Sequence, residues 1–123
     1  MNTPSSALLH TRGVNLEQLI QNVIQWANDR NIIQGSTAIK QLDKTSEEFN
    51  ELHRAVALHL RDPGSEGAFD EVADAFGDIL VTLIIASHQL HVSLPIALEQ
   101  AYNTIKDRKG KMINGKFVEE SDL

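Results

Sequence analysis

Cysteine is absent from this chain, which excludes disulfides, zinc–thiolate sites and thiol nucleophiles. That absence fits a reducing cytoplasm, the compartment the sequence leads us to expect. No apolar run approaches the roughly 18 residues of a membrane span; the longest, Ile79 to Ala86, is far too short. The first residues lack the basic and apolar regions of a signal peptide. Cations are the scarcer charge, 11 Lys and Arg against 17 Asp and Glu, for a formal net charge of −6. That balance argues against nucleic acid as a partner. It leaves an anionic small substrate open, because a bound cation would invert the local field. Nucleotide loops of the Walker A and dinucleotide types are missing, as is the nucleophile elbow of serine hydrolases. The five histidines form no ligand pattern.

What remains is a helical chain of one domain, with 41% hydrophobic residues to supply a core. Residues 1–14 read as a mobile leader, 15–110 as the helical domain and 111–123 as a C-terminal arm. The first helix is expected from about Leu16 to Arg30, with Asn15 and Gln18 as a capping box. Its apolar face carries Leu16, Leu19, Ile20, Val23, Ile24 and Ala27, and Trp26 lies off the centre of that face. A second helix runs from about Thr37 to Leu60 behind a Ser36 cap, with Phe49, Leu52, Ala55, Val56 and Leu60 as its stripe. Pro63-Gly64 ends it. A third helix spans about Phe69 to Leu90. A fourth starts after Ser93, accepts Pro95 in its first turn and ends near Lys109-Gly110. Asn114-Gly115 then marks either a small hairpin or an ordered arm. The fold class is therefore all-α, most simply a four-helix bundle with a short C-terminal arm or hairpin. The over-apolar third helix suggests burial in a homodimer.

Two acidic clusters interrupt this apolar pattern. Glu47, Glu48 and Glu51 lie in the second helix, and Asp70, Glu71, Asp74 and Asp78 in the third. At about 100° per residue, Glu48 falls about 40° from Leu52 and borders the apolar stripe, with Glu51 one turn on. Glu71, Asp74 and Asp78 share a stripe with Ala75, Thr82 and Ile85. Antiparallel packing of the two helices would bring several carboxylates together. The bland alternative is a solvated face whose acids meet the positive end of a helix dipole. Asp70 and Glu71 suit that alternative; Glu48 and Asp78, deep in their helices, do not. Carboxylates crowded beside a core need a cation between them. An all-oxygen set points to Mg²⁺, with Mn²⁺ as a substitute. Di-iron bundles use Glu-x-x-His pairs, which these clusters lack.

Asn103, Lys106, Arg108, Lys109 and Lys111 gather at the end of the fourth helix. There they either answer the helix dipole or clamp phosphate. Lys40 and Lys44 are weaker candidates for the same task. Trp26, the only tryptophan, is either a core residue or a wall for base stacking.

Glu48-x-x-Glu51-Leu52, followed by Glu71-x-x-Asp74 and Gly77-Asp78, resembles the MazG-like all-α nucleoside triphosphate pyrophosphohydrolases. Tyr102 to Met112 resembles their C-terminal motif, so the resemblance covers about residues 16–118. It implies Mg²⁺-dependent hydrolysis of a nucleoside triphosphate to the monophosphate and pyrophosphate, as nucleotide-pool house-cleaning. By the resemblance, Glu48 and Glu51 match the first metal pair, Asp78 the aspartate closing the second motif, and Asn103 and Lys106 the substrate contacts. Many relatives carry Glu three residues before that aspartate, where this chain has Ala75. The second pair is then Glu71 with Asp74, or Asp74 with Asp78. Glu47 or Glu48 is the expected general base, and Lys106 and Lys109 are expected to stabilise developing charge. The rival readings are a non-catalytic helical interaction module and a dUTP- or dCTP-type hydrolase on a related bundle.

Overall fold

The computed structural model describes residues 13–123. The leader expected at 1–14 therefore lies almost wholly outside the described residues. The chain divides into two compact units at Val92–Ser93. That junction falls inside the span 15–110 that the sequence reads as one helical domain.

In the first unit, α1 covers Leu16–Asp29, α2 Ile32–Gly35, α3 Ala38–Arg61 and α4 Ala68–Gln89. The Asn15 side chain accepts from Gln18 N–H at 3.0 Å and starts α1. The reciprocal half of the expected capping box is not formed, because the Gln18 side chain donates instead to Asn22. The single turn α2 was not anticipated. Asn31 takes a left-handed conformation (φ 60°) and restarts the helix just after α1 ends. The cap of α3 is Thr37, not Ser36. Thr37 Oγ1 accepts from Lys40 N–H at 3.2 Å, while the Ser36 hydroxyl accepts from the Gln41 side chain.

α3 and α4 run antiparallel. Thr45 Oγ1 and Thr82 Oγ1 meet at 2.7 Å near one end of the pair, and the His59 and Phe69 rings meet edge-on at the other. α4 is the central helix, packed against α1, α2 and α3. The buried apolar residues are Ile20 and Ala27 of α1, Leu52 of α3, and Ala68, Ala75, Ile84, Ile85 and Ala86 of α4. Half of that set is alanine, so the core is thin. The expected α3 stripe is only partly buried: Ala55 and Val56 are half-buried, and Phe49 and Leu60 are exposed. Leu16 and Leu19 of α1 are exposed as well. The exposed ones keep the spacing of an apolar face but are not covered within the described residues.

In the second unit, α5 covers Leu94–Ile105, and strands β1 (Gly110–Ile113) and β2 (Lys116–Glu119) form an antiparallel hairpin, followed by a 3-10 turn. Ser93 caps α5 by accepting from Ile96 N–H, and Pro95 sits in the first turn. α5 stops at Ile105, one turn short of the expected end. Gly110 pairs with Glu119, and Lys109 C=O accepts from Glu120 N–H at 2.7 Å; this extended pairing leaves no helical backbone past Lys106. Asn114 (φ 51°) and Gly115 (φ 80°) form the two-residue turn, so the hairpin alternative is the one adopted. Among the described residues, no single helix is long and apolar enough to cross a membrane.

Candidate functional site

A cavity of about 540 Å³ opens between α1, α3 and α4, all in the first unit. That volume is in the range of small-molecule sites. α1 supplies Leu19, Asn22, Val23 and Trp26, which recur at helical spacing along one face. α3 supplies Lys44 and Glu48, four residues apart, and α4 supplies Asp78, Val81 and Thr82. The cavity thus has an apolar and aromatic wall facing a charged floor.

Glu48 is the chemical centre of that floor. It is only 7% exposed, in a helix otherwise rich in solvated charge. Its Oε1 lies 3.4 Å from Lys44 Nζ, and its Oε2 is buried without a hydrogen-bond partner. Lys44 Nζ lies equally 3.4 Å from Glu47 Oε2. The Glu47 carboxylate, and after it Glu48, raises the Lys44 pKa above the ordinary lysine value and holds the ammonium charged. At the cavity, Thr82 Oγ1 lies 2.7 Å from Ile79 C=O and Thr45 Oγ1 lies 2.9 Å from Gln41 C=O; one of the two hydroxyls gives its proton to its carbonyl and the other gives its proton to the neighbouring hydroxyl. The short contact between these two hydroxyls sets the register of α3 against α4, and with it the heights of Glu48 and Asp78.

Trp26 is 44% exposed, so it is not the core residue that one alternative held it to be. The Arg30 guanidinium stacks 4.8 Å from its ring centroid and donates to Trp26 C=O, which fixes the indole from outside. Asn22 Oδ1 accepts from Gln18 Nε2 at 3.0 Å, which leaves the Asn22 NH₂ as the amide's donor end.

Of the residues anticipated from sequence, Glu48, Asp78 and Trp26 line this cavity, as does Lys44, one of the two weaker phosphate candidates. Glu47 is exposed beside it and tied to Lys44. Glu51, Glu71 and Asp74 are exposed on α3 and α4 and do not line it. Among the described residues, no group of three or more His, Asp or Glu side chains converges to hold a metal. The stripe of Glu71, Asp74 and Asp78 exists, but it climbs α4 over two turns and only its last member reaches the cavity. Asn103, Lys106 and Lys109 belong to the second unit, where all are exposed. Lys106 is the C-cap of α5. Asn22 and Thr82 were not anticipated. Asn22 was detectable, since it stands one turn before Trp26 on the same face.

A divalent cation fits this floor on one observation, the partnerless Oε2 of a buried carboxylate. Mg²⁺ is commonly held by one or two carboxylates together with substrate phosphate oxygens and water. The carboxylates that line this cavity are Glu48 and Asp78.

No family model matches the chain, and no solved structure matches it. Over 77 residues it is 40% identical to a protein of Haemophilus phage HP1 described as an uncharacterized 18.2 kDa protein in the rep-hol intergenic region. The match covers 63% of this chain and 42% of the phage protein, so the chain spans well under half of that relative's length.

Proposed function

We propose that this chain is a Mg²⁺-dependent nucleoside triphosphate pyrophosphohydrolase of the MazG-like, all-α kind. The observation that carries the reading is the buried, half-unsatisfied Glu48 at the floor of a cavity it shares with Asp78 and Trp26. Burying a carboxylate without a partner costs stability, and such costs concentrate at functional sites. In this reading the fold is of the four-helix-bundle type, and the protein is a cytoplasmic homodimer or homotetramer. Exposed Phe49, Phe76 and Leu80 on α3 and α4 favour such assembly.

The roles follow from chemistry. Trp26 stacks on the base, and its indole is braced from behind by Arg30. The Asn22 NH₂ donates to a base acceptor. Glu48 and Asp78 would hold Mg²⁺, which when bound neutralises phosphate charge and acidifies a bound water. A carboxylate of the Glu47–Glu48 pair accepts the proton of the attacking water. The α–β phosphoanhydride breaks, and monophosphate and pyrophosphate leave. Lys106, Lys109 and Asn103 contact the phosphates or ribose, a role that rests on the resemblance of residues 102–112 to the family motif.

The test is a product assay on canonical and modified NTPs and dNTPs, with Mg²⁺, Mn²⁺ or EDTA. Metal-dependent release of monophosphate plus pyrophosphate is the expected result. Confinement of turnover to dUTP or dCTP would select the narrower hydrolase. A second reading, a non-catalytic interaction module, draws on the exposed apolar side chains and on the exposure of Glu51, Glu71 and Asp74. It predicts no turnover and no stabilisation by metal.

A further inference from the structure

A buried carboxylate needs a counter-charge even when no divalent cation is bound. Glu48 has one built in. The Lys44 ammonium reaches Oε1 from one turn earlier on α3, at 3.4 Å, and lines the same cavity. The ammonium reaches only half of the carboxylate, because Oε2 stays buried and unpartnered. Lys44 is also not committed to Glu48: its Nζ lies at the same distance from the exposed Glu47 carboxylate. Its side chain is 56% exposed, so the ammonium can withdraw toward solvent while keeping Glu47 as a partner.

We propose that Lys44 is the resident counter-ion of Glu48 and is displaced from it when a divalent cation binds. The inference rests on the metal-binding part of the function proposed above. An ammonium at Oε1 and a divalent cation on the same carboxylate repel each other, so the two compete for one charge. Metal-free protein keeps Glu48 neutralised by Lys44. Loaded protein hands Glu48 to the cation, and Lys44 shifts to Glu47, its charge still at the cavity mouth and facing any anionic ligand. Lys44 thus sets metal affinity and is a positioning residue, not a metal ligand.

The experiment measures Mg²⁺ and Mn²⁺ binding without nucleotide, by calorimetry and by Mn²⁺ resonance, on wild type, Lys44→Met and Lys44→Arg. Melting temperature in EDTA and in saturating Mg²⁺ is recorded alongside. Lys44→Met keeps the aliphatic stem and removes the charge. It should bind Mg²⁺ about tenfold more tightly than wild type, melt lower in EDTA, and recover fully in Mg²⁺. Lys44→Arg should return both properties toward wild type. Unchanged or weaker Mg²⁺ binding by Lys44→Met, with wild type binding normally, overturns the competition and leaves the metal site standing. Absence of Mg²⁺ binding by every form overturns the metal site, and this proposal with it.

Discussion

Replacing Glu48 with methionine should make the metal-free protein more stable. The side chains are similar in length, and the site already lies against Leu52 in the thin α3–α4 core. The substitution removes a buried, partnerless carboxylate oxygen, whose desolvation costs about 1–3 kcal/mol. It also gives up the contact of Oε1 with Lys44, whose side chain is mostly solvated. An exposed partner returns little, so the oxygen dominates and the net gain is about 1–2 kcal/mol. For a cooperative unit of this size, each kcal/mol shifts the melting temperature by about 4–8 °C. Circular dichroism melts in EDTA should therefore place Glu48→Met about 5–10 °C above wild type. Saturating Mg²⁺ should reverse the order. Binding at a hundred times the dissociation constant adds about 2.7 kcal/mol to wild type, and nothing to a protein that has lost its ligand. The reasoning is refuted if Glu48→Met melts at or below wild type in EDTA, since the carboxylate would then support the fold. It is refuted equally if Mg²⁺ raises both proteins by the same amount, since the cation would then bind elsewhere.

Asp78→Asn should lower turnover more than about 100-fold while leaving the helical circular dichroism unchanged; a smaller loss removes Asp78 from the metal set. Trp26→Ala should raise KM about 5- to 100-fold, the worth of one base–aromatic stack, with a smaller effect on kcat. Because Trp26 is the sole tryptophan, nucleotide binding to wild type should quench the whole indole emission, and an unquenched complex argues against stacking. Gly77→Ala should stabilise the first unit by about 0.5–1 kcal/mol, because Gly77 is exposed inside α4 and a Cβ there meets nothing. A lower melting temperature would show that Gly77 serves the fold rather than the site. Gly115→Ala should loosen the hairpin by about 1 kcal/mol, since φ is 80° at that turn position; amide exchange in residues 110–119 reports it.

The helices were legible where their signals are local. Asn15 and Ser93 carry caps that act on the next turn, and Asn114-Gly115 carries its own turn geometry. What escaped depends on distant partners. The helical stop at Ile105 is set by pairing of Gly110 with Glu119, which no window around residue 105 contains. Phe49 and Leu60 keep the spacing of the α3 face, but spacing says only which residues share a face. How much of that face is covered depends on what packs against it, and Phe49 and Leu60 stay exposed.

The same distinction governs the site. Angular position on α3 correctly set Glu48 beside the core, because that is a property of one helix. Convergence of a full carboxylate cluster required two helices and the place where a third crosses them. Along α4 the acids at 71, 74 and 78 form one stripe, yet the wall of α1 residues 19–26 encloses only the level of Asp78. The charged floor inside the cavity is therefore Lys44, Glu48 and Asp78, two carboxylates and one ammonium rather than a ring of acids. Under the proposed function, that composition would make metal occupancy a competition between an internal cation and an external one. An acidic ring would bind any divalent ion tightly. A floor that carries its own lysine has Glu48 Oε1 already paired, so under that proposal a cation would have to satisfy Oε2 to take Glu48 from Lys44.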